Sequence, residues 1–192
     1  MPTKLLFLGD SNFCRMLRTI QRRQSKRTSN GKYFLDLAVG GQTILKLLRR
    51  AKCIPKTCSP WFCGDIVERH IVIMIGTNDI LHKTSPSQLK SQYSHLFRFL
   101  LSLNPKGIQI CTIPPCKNFE SVNEINHYIR RFCAEKQINC TDIEAIVNRN
   151  MMEGDGIHLN EQGLEAVWNA VATNYNNILN PLHNLIISKT DH

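Results

Sequence analysis

Short apolar runs alternate along the chain with longer segments whose apolar residues return every three or four positions. The short runs read as buried strands and the longer segments as helices lying on them. Lys4–Leu8 predicts a first strand, and Asn12–Gln24 a helix with Phe13, Met16, Leu17 and Ile20 at helical spacing. Tyr33–Val39 reads as a second strand running into Gly40-Gly41, and Thr43–Ala51 as a basic helix with Ile44, Leu47 and Leu48 on one side. Ser25–Lys32 and Lys52–Cys63 read as loops, with a short helix near Asp65–Glu68. Ile71–Ile75 is β-branched and apolar almost throughout, as a central strand is. Ser85–Leu103 predicts a long helix, with Pro86 suited to its first turn. Ile108–Ile113 predicts a fourth strand, Phe119–Gln137 a helix and Ile138–Thr141 a short fifth strand. Asn160–Leu179 predicts the last long helix, with Asn160 as its N-cap. This rhythm predicts an α/β fold, a three-layer α/β/α sandwich around a central, mostly parallel five-stranded sheet.

In such sheets ligands bind beyond the carboxyl ends of the strands, so the residues just after each strand carry the chemical information. After the first strand comes Gly9-Asp10-Ser11-Asn12. A serine at a strand-to-helix turn exposes its hydroxyl and sets its N–H at a helix N-terminus, which suits a nucleophile; the same residues also suit a plain helix cap. After the second strand comes Gly40-Gly41-Gln42-Thr43, where glycine allows a close backbone approach or simply a tight turn. After the third comes Gly76-Thr77-Asn78-Asp79. Asn78 can offer an amide donor to a developing oxyanion, or the pair can close an Asx-turn with Asp79 as the turn residue. Before the last helix stands Asp155-Gly156-Ile157-His158, an acid three positions from an imidazole that it can orient. Pro114-Pro115-Cys116 and His82 also follow strands, where substrate loops are expected.

Composition alters this picture in one respect. The 192 residues, with 42% hydrophobic and 20% charged, fit one ordinary globular domain over 1–180 with a C-terminal tail at 181–192. No apolar run approaches the length of a membrane span, and no signal peptide is seen at the N-terminus, so a cytoplasmic protein is expected. The eight cysteines contain no C-x-x-C pair and read as reduced thiols. Cys53, Cys58, Cys63 and His70 are spaced too widely for a zinc knuckle, so neither metal nor cofactor is expected. The charge is what stands out. The net +9 is concentrated in the first sixty residues, which hold thirteen Lys and Arg against two acids. Arg15, Arg18, Arg22, Arg23, Lys26 and Arg27 lie on or after the first helix, and Arg49 and Arg50 on the second. Such a face can attract RNA or an anionic membrane surface, or can simply be a solvated helix face.

Taken together and in chain order, Gly9-Asp10-Ser11, Gly41-Gln42-Thr43, Gly76-Thr77-Asn78-Asp79 and Asp155-Gly156-Ile157-His158 resemble the four blocks of the SGNH hydrolases, the GDSL-like lipases and esterases. The resemblance runs from about residue 4 to residue 178, with G-D-S-N in place of G-D-S-L. It implies metal-free hydrolysis of a small-molecule or lipid ester or thioester. Ser11 would be the nucleophile, His158 the base and Asp155 its orienting acid, with Ser11, Gly41 and Asn78 forming the oxyanion hole. SGNH domains also occur in retrotransposon and insect germ-plasm proteins. The resemblance therefore leaves a second expectation, an RNA-associated domain that binds through the basic N-terminal face. Few aromatics interleave with those cations, which argues against base stacking.

Overall fold

The computed structural model describes residues 3–25, 34–53, 68–116 and 119–175. Five strands, β1 (Thr3–Gly9), β2 (Phe34–Asp36), β3 (Glu68–Met74), β4 (Gly107–Cys111) and β5 (Asn139–Thr141), form one sheet. Their order is β2-β1-β3-β4-β5 and every neighbouring pair is parallel. Around the sheet run α1 (Ser11–Ser25), α2 (Ile44–Ala51), α3 (Thr77–Leu81), α4 (Pro86–Ser102), α5 (Phe119–Lys136), α6 (Ile143–Ile146) and α7 (Glu161–Ala172). Short 3-10 turns occupy Arg149–Met151 and Thr173–Tyr175. The expected α/β/α sandwich is present, with a sheet that is wholly rather than mostly parallel.

The strands are apolar on both sides because both sides are covered. Along β1, Leu5 and Phe7 face one core while Leu6 and Leu8 face the other; along β3, Val72 and Met74 alternate in the same way with Ile71 and Ile73. Phe13 and Leu17 of α1 and Val167, Trp168 and Val171 of α7 close the first core. Leu47 of α2, Tyr93 and Phe97 of α4 and Ile125 and Ile129 of α5 close the second. Burying a side chain of this size contributes roughly 1.5–3 kcal/mol. Side-chain caps set several helix starts. Ser85 and Gln88 form a reciprocal capping box ahead of Pro86, and Asn160 accepts from Gly163 N–H at 3.0 Å.

Several expectations need correction. The second strand, expected to reach Val39, ends at Asp36; Leu37 and Val39 still donate to the carbonyls of Phe7 and Gly9, each at 3.0 Å, so the chain leaves the sheet gradually. The fourth strand stops at Cys111 rather than Ile113. The peptide groups of Ile113 are held instead by the Asn126 side chain, which accepts at 2.7 Å and donates at 2.8 Å. Glu68 begins β3 instead of closing a short helix, and residues 65–67 lie outside the described residues. The last helix ends at Ala172 rather than Leu179. α6 was not expected at all.

Chain order reverses between β1 and β3. The chain leaves β1 for β2 on one side and returns to β3 on the other. The carboxyl ends of these two strands therefore frame the crevice in which a sheet of this order accepts ligands.

Candidate active site

Ser11 is the first residue of α1, directly beyond β1, and is half-buried. Its N–H belongs to the first turn of the helix, where no intrahelical acceptor exists. β1 pairs with β3 through seven residues, ending at Gly9 opposite Met74, so Ser11 emerges beside the loop that carries Asn78.

His158 reaches Ser11 from the other end of the chain. Its Nε2 lies 3.2 Å from Ser11 Oγ and its Nδ1 lies 2.6 Å from Asp155 Oδ2. Asp155 Oδ1 accepts from the N–H groups of Ile157 at 2.8 Å and His158 at 2.9 Å. The His158 N–H, the His158 ring and the Ile157 N–H hold the Asp155 carboxyl well below the usual carboxylate range, so it stays ionised beside the imidazole. This segment is a hairpin: Met152 and Leu159 form an antiparallel bridge, and Glu153 N–H donates to His158 O at 2.7 Å.

Asn78 lies in the first turn of α3, so the segment is helical and does not form the alternative Asx-turn. Gly76 starts that turn at φ 126°, a conformation few other residues adopt, and any Cβ there would strike Ile113 at 2.7 Å. Asn78 Nδ2 donates to the carbonyl of Gln42 at 3.1 Å. Asp79 is not a turn residue. Its buried carboxylate accepts from Ile44 N–H at 3.0 Å and 3.3 Å, so it caps α2. Asn78 and Asp79 together tie the loop after β3 to the loop after β2. In that second loop Gly41 is exposed and holds φ 69°, in the left-handed region.

Two carboxyls lie beneath the site. Burial pushes Asp10 up to about 6, against the hydrogen bond from Asn12 N–H. Burial likewise pushes Asp79 up to about 6, against the bond from Ile44 N–H.

Ser11, Gly41, Asn78, Asp155 and His158 thus all lie on loops or first turns at the carboxyl ends of the strands. Ser11, His158 and Asp155 form one hydrogen-bonded line. Beside the hairpin opens a cavity of about 720 Å³, lined by Pro115, Cys116, Val147, Asn148, Met152 and Gly156 among others. Pro115 and Cys116 therefore face a cavity, whereas His82 is the exposed C-cap of α3. One residue of the site was not singled out from the sequence. Asn12 is fully buried, and its amide bonds to Ile157 O at 3.1 Å and to Leu159 N–H at 2.9 Å. Its place after the serine was visible, but both partners lie about a chain length away.

The basic residues divide. Arg15 and Arg18 are exposed on α1 and Arg49 on α2, while Arg50 is half-buried near Asp36. Arg22 and Arg23 belong to α1, but their side chains, like all of Lys26 and Arg27, lie outside the described residues, as do Cys58 and Cys63 of the weighed zinc row. Among the described residues no group of three or more His, Cys, Asp or Glu is arranged to hold a metal ion, and no helix is long and apolar enough to cross a membrane.

Over residues 7–166 the sequence matches the model of the GDSL-like lipase/acylhydrolase family. No curated relative matches it. Among solved structures, a putative acylhydrolase from Bacteroides fragilis superposes with a TM-score of 0.73 at 18% identity, covering 92% of this chain and 88% of that one. A GDSL-like lipase from Bacteroides thetaiotaomicron gives 0.72 at 15%, covering 91% and 88%. The psychrotrophic esterase EstA from a Pseudoalteromonas species gives 0.67 at 16%, covering 92% and 100%. At these identities the likeness is one of fold.

Proposed function

The chain belongs to the GDSL-like lipase/acylhydrolase family, and on that premise we propose that it is a serine esterase cleaving carboxylic esters or thioesters through Ser11, His158 and Asp155. The observation that carries the reading is the unbroken line from Asp155 Oδ2 through both ring nitrogens of His158 to Ser11 Oγ. Ser11 Oγ attacks the acyl carbon while His158 Nε2 takes its proton. Asp155 accepts from Nδ1–H, which leaves Nε2 free as base, and its charge stabilises the imidazolium. The carbonyl oxygen becomes an oxyanion held by the N–H groups of Ser11 and Gly41 and by the Asn78 amide. One Asn78 N–H is engaged by Gln42, which fixes the amide plane and leaves the second N–H for the oxyanion. The tetrahedral adduct expels the alcohol, protonated by His158, and leaves an acyl group on Ser11. Water, deprotonated by His158, then releases the acid and restores the serine. The cavity beside the hairpin, whose size falls within the usual range for small-molecule sites, supports a small acyl or lipid ester as the substrate.

The test is turnover of p-nitrophenyl esters of short and medium chain by wild type beside Ser11→Ala. Turnover in the wild type is expected and should vanish in the variant, whose melting curve should be unchanged. Equal turnover by both would overturn the reading. EstA has been crystallised inhibited by monoethylphosphonate; an activated phosphonate ester should phosphonylate this chain at Ser11 and nowhere else, adding the mass of its phosphonyl group as its leaving group departs with the serine proton.

The exposed Arg15, Arg18 and Arg49 favour a second role, RNA binding through phosphate contacts. Such binding should weaken steeply as salt rises, with a log–log slope that becomes shallower as these arginines are neutralised, while ester turnover stays nearly constant.

A further inference from the structure

Asn12 follows the proposed nucleophile, is wholly buried and has no part in the chemical steps above. Its side chain spans the distance between the two ends of the site. The amide nitrogen donates to Ile157 O at 3.1 Å and the amide oxygen accepts from Leu159 N–H at 2.9 Å. One planar group thereby grips the peptide groups on both sides of His158. Its own backbone N–H is held by Asp10 Oδ1 at 3.2 Å.

Among the described residues, and apart from the contact of the His158 ring with Ser11 itself, the other hydrogen bonds of the hairpin do not make this connection. The Met152–Leu159 bridge, the bond from Glu153 N–H to His158 O and that from Asn160 N–H to Met151 O at 3.0 Å tie the hairpin to itself. The bonds to Asp155 also lie within it. Among the described residues, the Asn12 amide is what hydrogen-bonds the hairpin backbone to the start of α1, where Ser11 stands, beside the packing of buried Leu159 and its neighbours Met151 and Met152 in the core. An amide suits the task because it carries a donor and an acceptor in one plane, matching a carbonyl and an N–H two residues apart. The bond to Leu159 N–H is buried, where water does not compete, and that to Ile157 O is partly buried.

We infer that Asn12 is a positioning residue that locks the backbone on both sides of His158 to the N-terminus of α1, keeping base and nucleophile in register. The inference rests on the reading of Ser11 and His158 as nucleophile and base. A base displaced by about 1 Å can lose about 10²-fold in rate. The variants Asn12→Ala and Asn12→Asp separate this role from a purely structural one. Alanine removes both bonds. Ionised aspartate lacks the donor, but protonated aspartate restores it, with its O–H replacing the amide N–H.

The experiment measures kcat and KM per mole of folded protein, counted by circular dichroism, together with the imidazole N–H proton resonance of His158. Asn12→Ala should lower kcat about 10²-fold with KM nearly unchanged, and its resonance should shift or broaden. For Asn12→Asp the ratio of its kcat to that of wild type should climb as pH falls from about 8 to 5, because protonation rebuilds the donor. Folded Asn12→Ala with wild-type kcat and an unmoved resonance would overturn the inference, even if less of it folds. Should alanine prevent folding, the aspartate variant decides, and a pH-independent ratio overturns the inference. A wild type without turnover refutes the esterase reading alone. The His158 resonance then still tests Asn12: if it moves in the variants the clamp stands, and if it does not the clamp falls.

Discussion

At the scale of single residues, Asp155 holds three hydrogen bonds, two from backbone N–H groups and one from the imidazole. It stays ionised although its side chain is 43% exposed. An asparagine in its place turns a donor toward Nδ1 and favours the tautomer whose Nε2 carries the proton, which is useless to Ser11. Asp155→Asn should therefore lower kcat by about 10²- to 10⁴-fold in a protein that still folds, as steady-state kinetics beside a melting curve will check. Asn78→Ala should cost about 10²–10³ in kcat with a smaller change in KM. A raised KM with kcat unchanged would instead assign Asn78 to ground-state binding. The five proposed site residues were each legible in the sequence, because a strand end, a glycine or an acid near a histidine is a local signal. Asn12 and Asp79 were not. Their work depends on Leu159 and Ile44, partners that no window of sequence contains.

At the scale of elements, the site depends on how the loop after β3 grips the start of α2. The Asp79 carboxylate is the acceptor for Ile44 N–H, and Ile44 is fully buried. Asp79→Ala leaves that N–H without an acceptor at a cost of about 1–3 kcal/mol, and frees the turn that carries Gly41. Thermal melting should show the loss, and kcat should fall beyond what the folded fraction explains. Strand and helix order was readable from the apolar pattern because the central strands β1 and β3 are buried on both faces and each long helix on one. The Asn160 cap and Pro86 in the first turn of α4 were readable for the same local reason. The ends of β2 and β4 were not. Phe34–Asp36 stops short of apolar Leu37 and Val39, and Ile113 gives its peptide groups to Asn126. Hydropathy does not distinguish a residue in a ladder from one held by a neighbouring side chain.

At the scale of the whole molecule, Asp10 and Asp79 make stability depend on pH. Each has an ordinary value of 3.8 and is pushed up to about 6 in the fold. Between about pH 4 and 6 the folded chain therefore binds more protons than the unfolded one, so stability falls as pH rises through that window. The loss is on the order of 1–3 kcal/mol for each group. Below it, Asp142, held low by Arg130 despite its partial burial, works in the opposite sense and loses its contribution as it is protonated. Melting temperature should thus peak in mild acid, and Asp10→Asn should flatten its decline toward neutrality. A decline equally steep in that variant would remove Asp10 as a source. The separation of Ser11 from His158 has a further consequence. The two atoms that meet at 3.2 Å belong to residues 147 positions apart. A ribosome making this chain exposes the serine early and the histidine only after most of the sheet has emerged. If Ser11 is the nucleophile proposed, the nascent protein should therefore be chemically silent, with no activated serine for surrounding esters to acylate, until the hairpin docks against α1.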